Sequence, residues 1–227
     1  MQGTGVLERE GKWVYQGAGV VTSTNTANGS SGKLFSQTLL PANRRIVKIG
    51  GPGHEFEDPY GVNNPNSVGT DPQFVGEYRV EVIPNSPGLD HQFLHVLEAN
   101  SAGTVAATPA KLIEGTAMIG ARVGARVVAF SRTEQRVQTG TLVIDQTGAV
   151  SVLVSDLVRG GEYTVALNGA AQKHVATAAG TLYLKMTVAQ PNSTLALAFT
   201  GVTLTIDDPE NPEYKEVSAP KNLHVLQ

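Results

Sequence analysis

The sequence predicts an all-β protein, antiparallel β-sandwich(es) with a smaller C-terminal β-sheet. Three observations carry that prediction. Short segments alternate apolar and polar residues with period two, and Gly, Asn, Asp and Pro punctuate them at intervals of roughly 8–15 residues. The i, i+3, i+4, i+7 spacing of an amphipathic helix is sustained nowhere over a useful length.

The strands follow in order. "KWVYQ" (12–16) opens the series, and the polar "NTANGSSG" (25–32) reads as a long hairpin connection. "KLFSQTLL" (33–40), "RRIVKIG" (44–50), "EYRVEVI" (77–83) and "HQFLHVLEA" (91–99) complete an N-terminal group. "SAGTVAATPA" (101–110) is small, flexible and weakly patterned, as expected of a junction. Beyond it run "ARVVAFS" (125–131), "TGTLVID" (139–145), "AVSVLVSDL" (149–157), "EYTVAL" (162–167), "GTLYLKMTV" (180–188) and "STLALAF" (193–199). Two hairpins are expected. "IDQTGAV" (144–150) joins two apolar runs through a turn with Gly148, and "ALNGAAQ" (166–172) carries Asn168-Gly169, a strong hairpin signal. The domains expected are therefore 1–100 and 101–205. Residues 206–227 form an acidic, proline-containing linker that leads into the truncated start of a further module.

Composition narrows the function. The chain has 227 residues, 41% hydrophobic and 16% charged, enough to bury a core. A net charge of −3, with no basic run longer than Arg44-Arg45, argues against nucleic acid as the main partner. No apolar run approaches the ~20 residues of a spanning helix, so no membrane partner is expected. Cysteine is absent, which excludes disulfides and thiolate chemistry. The N-terminus lacks a charged segment followed by an apolar one, so no signal peptide is expected in this chain.

Two kinds of site are candidates. The loop "GGPGHEFEDPYGVNNPN" (50–66) gathers His54, Glu55, Glu57 and Asp58. These could hold a divalent cation, Ca²⁺ or Zn²⁺, although their spacing fits no fixed calcium-loop pattern and a solvated turn is the plainer reading. No other cofactor is expected. His91 and His95 share one face of an expected strand, but four residues at ~3.3 Å each hold them ~13 Å apart, too far for one zinc ion. His95, flanked by apolar residues, reads as a hydrogen-bonded core or interlayer histidine. Sugar binding on a β-sandwich uses exposed aromatic faces. Trp13 and Tyr15 alternate on one strand face and are the leading platform, with Tyr60, Phe74 and Arg79 as further contacts.

"GKLFSQTLLPANRRIVKIGGPGHEF" and "GEYRVEVIPNSPGLDHQFLHVLEAN" resemble the C-terminal β-region of heparinase II/III-like polysaccharide lyases, most fully over residues 32–100. "LVRGGEYTVALNG…VATAAGTLYL" is similar to the last small sheet of those proteins, more loosely. "SAPKNLHVLQ" resembles the opening strand of a fibronectin type III module. The resemblance implies a secreted or periplasmic parent protein that acts on an acidic polysaccharide through an upstream helical toroid. It carries over no catalytic residue, because the family's Tyr/His set lies mainly on the toroid. Uronate elimination needs a base, an acid and a group that neutralises the carboxylate, for which only His54, Tyr60, Arg79, His91 and His95 are at hand. The chain is thus expected to be a non-catalytic module with polysaccharide and the toroid as partners. The alternatives are an autonomous carbohydrate-binding module and a small enzyme or metalloprotein built on the His54 loop. A face adapted to a missing neighbour predicts homodimerisation or poor solubility.

Overall fold

A computed structural model of the chain describes residues 5–16, 19–25, 32–54, 57–58, 60–63 and 78–202. Every regular element among them is a strand. Glu55, Phe74 and the 206–227 linker, with its fibronectin-like ending, lie outside the described residues, as does most of the 25–32 connection. The chain forms two compact units that divide between Thr108 and Pro109.

Among the described residues the first unit holds seven strands, β1 (Val6–Arg9), β2 (Lys12–Gln16), β3 (Val20–Asn25), β4 (Gly32–Leu40), β5 (Arg44–Gly50), β6 (Tyr78–Pro84) and β7 (Leu94–Ser101). They make two antiparallel sheets, ordered β1-β2-β5-β6 and β3-β4-β7. In the first sheet Leu7, Trp13, Lys48 and Val80 stand opposite one another across the four strands, so all four point to one face. Val47 and Ile49 of β5 point the other way and are buried. The turn between β4 and β5 contains a cis Leu40–Pro41 bond. Arg44, 4% exposed, closes this turn by donating to the carbonyls of Pro41 at 2.7 Å and Thr38 at 2.5 Å.

The stretch after β7 is not the loose junction that its small residues suggest. Lys33 donates to the Thr104 carbonyl at 2.7 Å and Gln37 to the Thr108 carbonyl at 2.8 Å. The Glu98 carboxylate accepts the Thr108 N–H at 2.7 Å and its hydroxyl at 3.0 Å. Polar side chains on β4 and β7 therefore tie this segment down through its own backbone.

The second unit contains β8 (Ala110–Glu114), β9 (Met118–Val123), β10 (Arg126–Ser131), β11 (Thr139–Ile144), β12 (Gly148–Val154), β13 (Gly161–Leu167), β14 (Ala170–Val175), β15 (Leu182–Val188) and β16 (Ser193–Val202). These form a five-stranded sheet, β15-β12-β10-β9-β8, and a four-stranded sheet, β11-β16-β13-β14. The unit expected as one small sheet is thus two sheets around a continuous core. Val150, Val152, Val154, Leu182 and Leu184 come from one, and Leu142, Ile144, Tyr163, Val165, Leu195 and Leu197 from the other. Each set alternates by two, as a half-buried strand must, and each such side chain contributes about 1.5–3 kcal/mol by leaving water.

One of the two expected hairpins forms. β13 and β14 close on Leu167 and Ala170 around Asn168-Gly169, whose φ values of 48° and 90° suit a type I′ turn. The other is corrected. β11 pairs with β16, while β12 pairs with β15 and runs parallel to β10. Residues 145–147 therefore cross from one sheet to the other. Asp145 anchors that crossing, accepting from Lys111 at 2.5 Å and Arg122 at 2.8 Å, which hold its carboxyl down at about 2, the Arg122 hydrogen bond contributing most.

Candidate functional site

The 50–63 loop hangs at the end of the first sheet beside the β1–β2 turn. Gly50 donates its N–H to the Gly11 carbonyl at 2.9 Å, which joins the two turns. Gly11 has φ +72°, and a methyl group there would overlap the His54 ring. That glycine therefore leaves room for the imidazole against the turn.

Glu57 is the centre of the loop. Its side chain is 1% exposed. Arg9 donates to both of its carboxylate oxygens, and His54 Nδ1 lies 3.1 Å from Oε2. The Arg9 hydrogen bond, assisted by His54, holds the carboxyl at about 2. Arg79 donates to the Glu57 carbonyl and, through Nε, to Glu81 at 2.8 Å. Asp58 serves the backbone, since its Oδ1 accepts the N–H groups of Tyr60 and Val62 at 2.8 and 2.9 Å. An Asx-type turn of this kind is the usual employment of a loop aspartate. A cation at this loop would have to displace Arg9 from Glu57 and undo the Asp58 turn. Among the described residues, no group of three or more His, Asp or Glu side chains is placed to hold a metal.

The aromatic residues make a different arrangement. Trp13 and Tyr15 share one face of β2, and Trp13 stands opposite Lys48. Tyr78, opposite Gly50 on β6, meets Trp13 edge to face with centroids 6.4 Å apart. The Lys48 ammonium lies 3.5 Å from the Tyr78 centroid and 5.2 Å from that of Trp13, a cation–π pairing that holds a positive charge on the platform. Tyr78 also covers Gly51, where an added Cβ would sit 3.2 Å from its ring. Tyr60 stands away from this cluster on the loop, 91% exposed. Arg79 neighbours Tyr78 on β6 and so points to the opposite face.

Tyr78 and Lys48 are thus the residues that the sequence reading missed. The signal for both was present: each falls on the Trp13 face once β5 and β6 are paired in register. The histidines do not come together. His91 precedes β7 rather than lying within a strand, and packs beside Gly88. His95 is bonded at 2.9 Å to the Thr38 hydroxyl and stacks on Phe93. His95 is itself exposed and not in a core, because along β7 half-buried residues alternate with exposed ones and it falls among the exposed.

Residues 112–192 match the family model of the heparinase II C-terminal domain. The match lies wholly in the second unit, from β8 to the β15–β16 turn, and C-terminal to residues 32–100, on which the sequence resemblance rests most heavily. No curated protein matches the chain.

Proposed function

Starting from the heparinase II C-terminal domain at residues 112–192, we propose that the chain is the β-module of a polysaccharide lyase-like protein, secreted or periplasmic, that supports a catalytic body and holds glycan. The family match is the observation that carries this reading. The first unit supports its finer part. Trp13 and Tyr78 offer apolar ring surface, and Lys48 lies across both. A sugar ring stacks on such a surface through its C–H face, while the ammonium meets a uronate carboxylate. A metalloprotein built on the loop is disfavoured, because Glu57 and Asp58 already satisfy Arg9, His54 and the loop backbone.

Affinity electrophoresis in gels containing polygalacturonate, hyaluronan or heparin tests the proposal, with dextran as the neutral control. Retardation by an acidic polysaccharide, weakened at least tenfold by Trp13→Ala, is the expected result. Absence of retardation by all three would remove the glycan-holding role. Ultraviolet-absorbing elimination products from the chain alone would replace the supporting role with a catalytic one.

A further inference from the structure

The outward face of the five-stranded sheet in the second unit carries a feature that none of the foregoing uses. Register places Lys185, Ser151 and Arg126 opposite one another on β15, β12 and β10. The next row along the same strands is Tyr183, Leu153 and Val128. Tyr183 is 60% exposed and Leu153 37%, although β12 lies inside the sheet. The core side of these strands is accounted for by Val150, Val152, Val154, Leu182 and Leu184, so both rows face outward.

The electrostatics of this face are one-sided. Lys185 and Arg126 are exposed, and neither has an ion-pair partner among the described residues. The outward positions of the five strands hold a single acid, Glu114, and Arg132 pairs with it at 2.9 Å. Two cations therefore stand two strands apart, about 10 Å, with a hydroxyl between them and an aromatic-led apolar row alongside. Like charges at that separation repel, and an anion between them removes the repulsion.

The geometry points to an anion-selective glycan surface, on which the carboxylate of an acidic sugar lies between Lys185 and Arg126 and is bonded by Ser151, while the adjoining sugar ring stacks on Tyr183 and Leu153. Charge complementarity selects an anionic occupant. The position on the sheet's face, over its interior strands β12 and β10 and with Tyr183 and Leu153 exposed, selects a stacking sugar over an acidic peptide, which gains most of its main-chain hydrogen bonds at a sheet edge. This surface deepens the polysaccharide reading proposed above and rests on it, but it involves a different unit and different residues.

The test uses the full chain and polygalacturonate as probe, with dextran and poly-glutamate as comparators, in affinity electrophoresis and titration calorimetry. Tyr183→Ala and the double variant Lys185→Gln/Arg126→Gln change exposed side chains only, and thermal unfolding verifies their fold. The expected result is an at least fivefold loss of polygalacturonate affinity in each, in a wild-type interaction that weakens with added NaCl. Affinity unchanged within twofold in both variants, with loss on Trp13→Ala, overturns this surface and leaves the module reading standing. Tighter binding of poly-glutamate than of polygalacturonate overturns it in favour of an acidic protein partner. Wild-type chain that binds no polysaccharide overturns both.

Discussion

Arg9 grips both carboxylate oxygens of Glu57, 48 residues away in the chain, and so ties the β1–β2 turn to the 50–63 loop. Because the Glu57 side chain is shut away from water, this contact belongs to the folding of the first unit and not to its surface decoration.

The first prediction concerns acid. Glu57 has a folded pKa of about 2 against an ordinary 4.5. A depressed carboxylate contributes stability that is complete above its unfolded pKa and lost as pH falls through the folded one. The first unit should therefore weaken between about pH 4.5 and pH 2. Glu57→Gln should remove about 1.5–3 kcal/mol at neutral pH and flatten that acid dependence. The chain has one tryptophan, Trp13, so its fluorescence during urea unfolding at a series of pH values reads this unit alone. An unchanged pH slope in the variant would show that Glu57 is not the group responsible.

Gly11 gives the second. Alanine there must adopt φ near +72° and meets the His54 ring. Both effects destabilise, together by about 1–3 kcal/mol. The double variant Gly11→Ala/His54→Ala should recover the part due to the ring, but neither the backbone part nor the contact with the Cβ of residue 54, which an added methyl would meet at 2.8 Å. Urea midpoints of the four forms provide the check, and no recovery in the double variant would mean that the ring is not the obstacle.

Tyr163 anchors the third. Its hydroxyl, fully buried, donates to the Val137 carbonyl at 2.6 Å and accepts the Val158 N–H at 2.8 Å. Tyr163→Phe preserves the ring contact with Phe199 but leaves two backbone groups unpaired, at a cost of about 2–4 kcal/mol. Burial pushes the phenol pKa above its ordinary value. That raised acid adds stability which is complete below the unfolded pKa near 10 and is lost as pH rises beyond it. Calorimetry of the second unit's transition should show a lowered Tm in the variant and a weaker alkaline fall. A Tm shift below one degree would contradict the bond geometry.

What was legible in the sequence follows from which interactions are local. Alternation exposed Val150, Val152 and Val154 as one face of a strand, and Asn168-Gly169 announced its hairpin. β9 was invisible because Met118, Ile119, Gly120 and Ala121 are all buried, which erases the period-two signal. β1 was hidden for the opposite reason, since all four residues are exposed. The 144–150 segment misled because a tight turn and a sheet-to-sheet crossing share the same residues. Only Asp145, with Lys111 and Arg122 from distant strands, decides between them. In the loop, the acids looked like ligands because Arg9 lies far off in sequence. Tyr78 and Lys48 emerged only with the strand register.

The last prediction concerns the β3-β4-β7 sheet. Lys33, Gln37 and Glu98 bind the segment that crosses one of its faces. On the other, Leu34 is 42% and Leu97 65% exposed, and Phe93, just before β7, is 50% exposed. β3 and β7 also form the two edges of this short sheet, neither paired with a further strand on its outer side among the described residues. Apolar side chains between open edges favour association. The chain should form a homodimer as its concentration rises, detectable by sedimentation velocity. Leu97→Lys, at the most exposed leucine of the face, should weaken that dimer at least tenfold, because burial of one leucine is worth about 1.5–3 kcal/mol and tenfold corresponds to about 1.4. Leu7→Lys, on the other sheet, should leave the dimer intact. A wild-type chain that stays monomeric at millimolar concentration would show that these leucines are merely solvated.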